Sequence, residues 1–226
     1  RDAESITFEM KEGKLVDGNH AQDGVVTMED EQYKTDIMVS KVAAGGGEEL
    51  PGAELSVKMV KNADGEDVEE DIDSWTSDGS KHEITGLVDG TYTLTEDQAP
   101  LGYKTAETIT FVISEGKLVE SENVNGDTVT MEDEQYKTDV KISKTAVGGG
   151  DELKDAKLTV KMAETADGKT VDETVASWTS DGNVKELKDI PDGTYTLIED
   201  QAPLGYQKAE SITFVIKEGE LVKSAA

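Results

Sequence analysis

The sequence repeats itself at a fixed offset of 103 residues, and this period limits the possible folds more than any other feature. Trp75 recurs as Trp178 and Tyr92 recurs as Tyr195, with no net insertion or deletion between the copies. The period is that of a whole small domain and is too long for one unit of a solenoid. We therefore predict tandem domains arranged as beads on a string.

Each repeat consists of short runs rich in Val, Ile, Thr and Tyr that are separated by turns containing Gly. Such runs are typical of β-strands, and no window carries a helical stripe of more than about three turns. The pattern predicts an all-β chain of tandem antiparallel β-sandwiches. In the first full repeat we expect strands at 36–42, 53–60, 72–76, 83–87, 91–97, 107–114, 117–121 and 127–133.

The repeat divides the chain into three parts. Residues 34–136 are predicted to form one complete repeat, and residues 137–226 a second repeat that lacks its last strand. Residues 1–33 match the C-terminal strands of a preceding repeat. Because residues 1–20 are the counterpart of residues 104–123, we expect the chain to be a window on a longer array.

The composition argues against several classes of function. The chain carries 50 Asp and Glu against 22 Lys and Arg, a net charge of -28, so nucleic acid and anionic membrane surfaces would be repelled. No apolar span is long enough for membrane insertion. His20 and His82 occur at unrelated phases of the repeat, so no catalytic triad or metal-ligand set recurs. We predict neither an enzyme with turnover nor a metal or cofactor site.

Three charged residues stand at strand positions where the alternation of side chains points into the core. These residues are Lys41, Glu96 and Asp133. The apolar residues that share their faces are, in the same order, Ile37 and Val39, Tyr92 and Leu94, and Val129 and Met131. The triplet recurs at the offset of the repeat as Lys144, Glu199 and Asp30. This recurrence favours a buried set of interacting residues over three unrelated charges that point inward by chance.

Three interpretations of the triplet are open at this point. Each charge could lie at a strand end and reach solvent, the set could be a buried ion pair with a shared proton, or lysine and aspartate could form an isopeptide bond. Desolvation disfavours charge, and a neutral amine is a nucleophile whereas a protonated carboxyl group is an electrophile. Glu96 would then carry protons between them, and folding would supply the proximity.

One run of residues is specific enough to indicate a family. From Gly90 to Tyr103 the sequence reads Gly-Thr-Tyr-x-Leu-x-Glu-x-x-Ala-Pro-x-Gly-Tyr, and the run recurs from Gly193 to Tyr206. The whole of 34–136 and 137–226 resembles the Cna B-type, or SpaA-like prealbumin-fold, repeats of Gram-positive surface adhesins and pilins. The resemblance implies Ig-like or transthyretin-like sandwiches.

The resemblance also implies an autocatalytic isopeptide bond between Lys and Asp or Asn, assisted by Glu or Asp. Carried over by position, Lys41 is the nucleophile, Glu96 the proton shuttle and Asp133 the acceptor. The common acceptor in the family is Asn, and this sequence departs from it. The bond would form once, with loss of one water.

In the second repeat, Lys144 and Glu199 take the first two roles, while their aspartate lies outside the repeat. Asp30 takes the third role for the preceding repeat. Asp30 is expected to pair either with a Lys outside the chain or with Lys144 of another copy, the latter giving a covalent head-to-tail polymer.

The function expected from these features is that of a structural stalk in an extracellular, cell-wall-anchored fibre or pilus. Its partners would be further copies of the repeat in the same chain and possible copies in other chains. The rival interpretation is a ligand-binding adhesin module, but no host ligand is predicted. Trp75 and Trp178 lie in motifs typical of packing rather than of ligand contact.

Overall fold

The computed structural model describes residues 5–222, which form twenty β-strands and no helix. The prediction of an all-β chain of tandem sandwiches is confirmed. Ile, Val and Leu are the commonest buried side chains, and the β-branched side chains of Ile and Val pack well on a pleated surface.

The N-terminal segment forms two short hairpins that pair only within themselves. Its strands are β1 (Met10–Lys11), β2 (Lys14–Leu15), β3 (Ala21–Gln22) and β4 (Val25–Val26). Residues 27–34 form no strand, so the strand expected to carry Asp30 is not formed as far as that residue. A strand needs a neighbour for its backbone hydrogen bonds, and no described strand pairs with residues 28–32.

The first full repeat is a sandwich of two sheets. Its strands are β5 (Thr35–Ala43), β6 (Pro51–Asn62), β7 (Asp67–Asp78), β8 (His82–Leu87), β9 (Gly90–Gln98), β10 (Ile109–Ser114), β11 (Lys117–Leu118), β12 (Val124–Asn125) and β13 (Thr128–Asp133). One sheet has the order β11-β10-β9-β6-β7 and the other β12-β13-β5-β8. Each sheet buries one face against the other, and the stacked rings of Tyr92 and Phe111 lie in this core with their centroids 5.2 Å apart.

One strand pair departs from the antiparallel pattern. The first strand of the repeat, β5, and the last, β13, lie side by side and run parallel over six residue pairs. Every other strand pair of the sandwich is antiparallel. The two ends of the repeat are therefore neighbours at the centre of the four-stranded sheet.

The second repeat forms the same five-stranded sheet but a smaller opposing one. Its strands are β14 (Lys137–Ile142), β15 (Lys154–Thr165), β16 (Thr170–Asp181), β17 (Lys185–Pro191), β18 (Gly193–Gln201), β19 (Ile212–Lys217) and β20 (Glu220–Val222). The larger sheet has the order β16-β15-β18-β19-β20, and β14 pairs only with β17. Among the described residues, no strand takes the place that β13 holds in the first repeat.

The two tryptophans pack at the edges of the cores. Trp75 is half-buried against the first core and stacks on His82, with ring centroids 4.1 Å apart. Trp178 is half-buried against the second core. Both positions agree with the predicted packing role, and they give each repeat one fluorescent reporter.

Candidate functional site

The parallel pair of strands brings the predicted lysine and aspartate to one face of the four-stranded sheet. Lys41 lies opposite Met131, and Asp133 is two residues further along the same strand, opposite Ala43. Side chains two residues apart on a strand share a face, so Lys41 and Asp133 both point into the sandwich. Glu96 comes from β9 in the facing sheet and points towards them.

The three side chains meet in the core of the first repeat. The Nζ of Lys41 donates a hydrogen bond to Oδ1 of Asp133 and lies 3.1 Å from Oε1 of Glu96. Lys41 is 2% exposed, Glu96 4% and Asp133 0%. This exposure rules out the interpretation in which each charge reaches solvent. The geometry brings together an amine, a carboxyl acceptor and a second carboxyl group.

The two carboxyl groups are held in different ways. Oε2 of Glu96 accepts a hydrogen bond from the Ala106 amide at 2.7 Å, which fixes the orientation of this carboxylate. Oε1 of Glu96 and Oδ2 of Asp133 are buried without a hydrogen-bond partner among the described residues. Burial raises the pKa of Asp133 to about 6, the Lys41 ammonium opposes this rise, and the Glu96 carboxylate adds to it. Protonation of Asp133 is thus favoured by its surroundings, and an acid is the electrophilic form.

In the described part of the second repeat, the lysine and glutamate recur with no aspartate beside them. The Nζ of Lys144 lies 3.2 Å from Oε1 of Glu199, whose Oε2 accepts from the Ala209 amide at 2.6 Å. The Lys144 side chain is 18% exposed against 3% for Lys41, and Lys144 follows the end of β14 rather than lying within a strand. Asp30 is exposed, and among residues 5–222 the Lys144 amine forms its ion pair with Glu199.

Sequence reasoning missed a residue that positions the lysine. The Glu49 carboxylate accepts from the Lys41 amide at 2.7 Å and from the Ser40 hydroxyl at 2.6 Å. Glu152 makes the same two contacts with Lys144 and Ser143, at 2.7 and 2.5 Å. Glu49 recurs as Glu152 at the offset of the repeat, and this recurrence could have indicated a role for it. No local sequence pattern predicts its contact with Lys41, eight residues earlier in the chain.

The family assignment rests on a match to both repeats. The family model described as the SpaA prealbumin-like fold domain matches residues 35–128 and 138–226. The chain belongs to this family. The resemblance expected from the Gly90–Tyr103 run is confirmed, and the chain consists largely of tandem SpaA-type domains.

Solved structures show similar SpaA-type architecture. The TIE protein of Bacillus anthracis is 25% identical with a TM-score of 0.58, and the match covers 91% of this chain and 39% of that one. The pilus adhesin SpaC of Lactobacillus rhamnosus GG is 18% identical with a TM-score of 0.51, covering 91% of this chain and 30% of SpaC. The chain thus spans less than half the length of either protein. No curated protein matches the chain by sequence.

Two further observations concern the described part of the chain. Residues 5–222 contain no helix that is long and apolar enough to cross a bilayer. The same residues contain no group of three or more His, Asp or Glu side chains placed to hold a metal ion.

Proposed function

We propose that the chain is a stalk segment of an extracellular bacterial fibre or pilus, and that its first repeat is locked by an isopeptide bond between Lys41 and Asp133. The observation that carries this proposal is the buried contact of the Lys41 amine with Asp133, with Glu96 at 3.1 Å from the same nitrogen. The membership of both repeats in the SpaA family supports the fibre context and a surface location. Attachment of the fibre to the cell wall is part of the same proposal.

The bond forms by condensation inside the folded core. A proton passes from the Lys41 ammonium to Asp133, giving a neutral amine and a neutral acid, and the amine then attacks Cγ of Asp133. Glu96 takes a proton from the attacking nitrogen and returns it to the departing hydroxyl, which leaves as water. One C–N bond forms and one C–O bond breaks, with no oxidant or reductant. The reaction runs once, so the repeat is not an enzyme with turnover.

The place of the bond in the fold accounts for a stalk function. Lys41 lies in the first strand of the repeat and Asp133 in the last, 92 residues apart in sequence. A bond between adjacent parallel strands lets tension pass from one end of the repeat to the other without loading the residues between them. It also links the two sequence ends that any unfolding of the repeat would separate.

The first test is the intact mass of the denatured chain. We expect the monomer to lack the mass of one water, and proteolysis to yield a branched peptide joining Lys41 to Asp133. Glu96→Gln, which removes the proton shuttle but keeps the side-chain volume, should restore the full mass. The matched variant Glu199→Gln should keep the loss of one water. A full mass for the unsubstituted chain would mean that no bond has formed and that the site is a buried ion pair.

The raised pKa of Asp133 predicts a pH dependence in the unlinked protein. In Glu96→Gln, Asp133 stays buried, so its folded pKa stays above the value of about 4 for an unfolded aspartate. The folded state then holds this proton more tightly than the unfolded state does. Its stabilising contribution is therefore complete below about pH 4 and is lost as the pH rises through the folded pKa.

Denaturant unfolding of Glu96→Gln at about pH 4, 5, 6 and 7 would measure this step. The double variant Glu96→Gln/Asp133→Asn keeps the shape of the site but cannot titrate at this position, so it serves as the reference. We expect the free energy of unfolding of the single variant, relative to the reference, to fall with rising pH. Parallel pH profiles for the two proteins would contradict the prediction.

A further inference from the structure

The backbone of Lys41 lies beyond the point where β5 has a neighbouring strand on both sides. The strand β8 begins at His82, which pairs with Val39, so β8 does not extend as far as Lys41. On the other side of β5, the Met38 amide donates to the carbonyl of Asp127, the residue before β13, at 2.8 Å. Backbone groups alternate sides along a strand, so those of Lys41 point away from β13. The N–H and C=O of Lys41 therefore need partners that neither strand supplies.

A loop supplies these partners. Residues 44–50 turn back from the end of β5, and we call them the return loop. Oε2 of Glu49 accepts from the Lys41 amide and the Leu50 amide donates to the Lys41 carbonyl, both at 2.7 Å. Oε1 of Glu49 accepts from the hydroxyl of Ser40, a buried residue, at 2.6 Å. Hydrogen bonds to a carboxylate are stronger than those between neutral groups. The return loop thus holds the lysine backbone where a neighbouring strand would otherwise hold it.

The return loop also contacts the strand that carries the acceptor. The Ala44 amide donates to the Asp133 carbonyl at 2.8 Å, and the Gly45 amide donates to Oε2 of Glu132 at 3.1 Å. The loop can reverse direction over few residues because Gly45 and Gly46 adopt φ values of 92° and 83°, which side chains disfavour. Since it binds the nucleophile strand through one set of groups and the acceptor strand through another, the loop fixes the two strands relative to each other.

The second repeat contains the same loop contacts. Glu152 accepts from the Lys144 amide at 2.7 Å, and the Leu153 amide donates to the Lys144 carbonyl at 2.7 Å. Lys144 follows the end of β14, whereas Lys41 lies within β5. Even so, the Nζ of Lys144 lies 3.2 Å from Glu199, close to the 3.1 Å between Lys41 and its glutamate. The return loop is therefore a support that both lysines share.

We infer that Glu49 is a positioning residue for isopeptide formation, because by holding the Lys41 backbone it directs the amine at Cγ of Asp133. This inference rests on the proposed function of the first repeat, and the condensation itself is unchanged. The Lys41 amine pairs with Glu96 and Asp133, whereas Glu49 binds the backbone and takes no proton in the reaction. A displacement of about 1 Å between reacting groups can cost about 100-fold in rate.

The contribution of Glu49 is geometric and not electrostatic. A nearby negative charge favours an ammonium group over a neutral amine, so the charge of Glu49 by itself would slow the attack. Glu49→Gln removes the charge but keeps a carbonyl oxygen for the Lys41 amide and an NH₂ group that can donate to the Ser40 oxygen. Glu49→Asp keeps the charge but is one methylene too short to make both contacts. The two variants therefore separate geometry from charge.

The rate of bond formation in the full chain tests this role. Each chain is made in a brief cell-free synthesis and sampled into denaturant, and the fraction that lacks one water is followed by intact mass and assigned by the branched Lys41–Asp133 peptide. We expect Glu49→Ala and Glu49→Asp to react at least about tenfold more slowly than the unsubstituted chain. Glu49→Gln should stay within about threefold of it. Glu48→Ala, a change at the exposed neighbour, should not alter the rate.

A loss of folding would imitate a loss of positioning, so Glu49→Ala and Glu49→Asp are also placed in the Glu96→Gln background, where no bond forms. Trp75 fluorescence during denaturant unfolding then gives the folded fraction of the first repeat, and each rate is divided by that fraction. A rate that is still low after this correction supports positioning, and it should be lowered by the same factor at every pH.

Three results would overturn the inference. These are a corrected rate for Glu49→Asp equal to that of the unsubstituted chain, a rate for Glu49→Gln as low as that of Glu49→Ala, and a pH profile that shifts in Glu49→Gln. Each of them leaves the proposed function intact as long as the unsubstituted chain forms the Lys41–Asp133 bond. Absence of that bond from the unsubstituted chain would overturn the proposed function and this inference together.

Discussion

Replacing Glu96 with Gln is expected to let the first repeat extend under force, by an added contour length of roughly 300 Å, whereas the unsubstituted repeat should not extend. Lys41 and Asp133 are 92 residues apart, and a covalent bond between them removes these residues from the path of the load. Without the proton shuttle the bond does not form, and the same residues become free to unravel. Single-molecule pulling on the chain would measure the difference directly.

The same variant should lose stability without force. On the chain-entropy model, closing a loop of this length stabilises the folded state by about 4–5 kcal/mol. The fluorescence of Trp75 in a Trp178→Phe background would follow unfolding of the first repeat alone. Glu199→Gln is the matched control, because the described second repeat has no aspartate beside Lys144. Similar losses for the two variants, or an extensible unsubstituted repeat, would contradict the crosslink.

The parallel pairing adds to this mechanical argument. Force enters the repeat at the start of β5 and leaves at the end of β13, so it pulls the two strands along their length in opposite directions. Their hydrogen bonds are then loaded together in shear and not opened one by one. Even the unlinked variant should therefore show a distinct rupture event before the repeat extends.

The alternation of side chains along the predicted strands was sufficient to predict that Lys41, Glu96 and Asp133 point into the core. Inward charges at Lys41, Glu96 and Asp133 could be read from a period of two residues, because the pleat of a strand fixes which side chains share a face. The pairing of β5 with β13 could not be read in this way. Burial alternates identically in parallel and antiparallel strands, and sequence pattern alone does not say which strands become neighbours.

Two strands differ from the sequence pattern for physical reasons. The strand β7 extends from 67 to 78, whereas the pattern predicts only 72–76. This strand lies at the edge of its sheet, and most of its residues are exposed on both faces, so little alternation marks its length. The sequence also predicts a strand through Asp30, which is not formed. The local pattern favours an extended backbone there, but a strand also needs a partner strand, and the local pattern does not provide one.

Truncating Phe111 to Ala is expected to destabilise the first repeat by about 3–5 kcal/mol, the usual cost of removing a buried aromatic ring. Phe111 is 2% exposed and stacks on Tyr92. Its counterpart Phe214 stacks on Tyr195 with nearly the same geometry but remains partly open to solvent. Phe214→Ala should therefore cost less, about 1–2 kcal/mol, because less apolar area leaves water on folding.

Tryptophan fluorescence measures each cost in its own repeat, with Trp75 reporting on Phe111→Ala and Trp178 on Phe214→Ala. Equal costs would mean that β13 contributes little to covering the core.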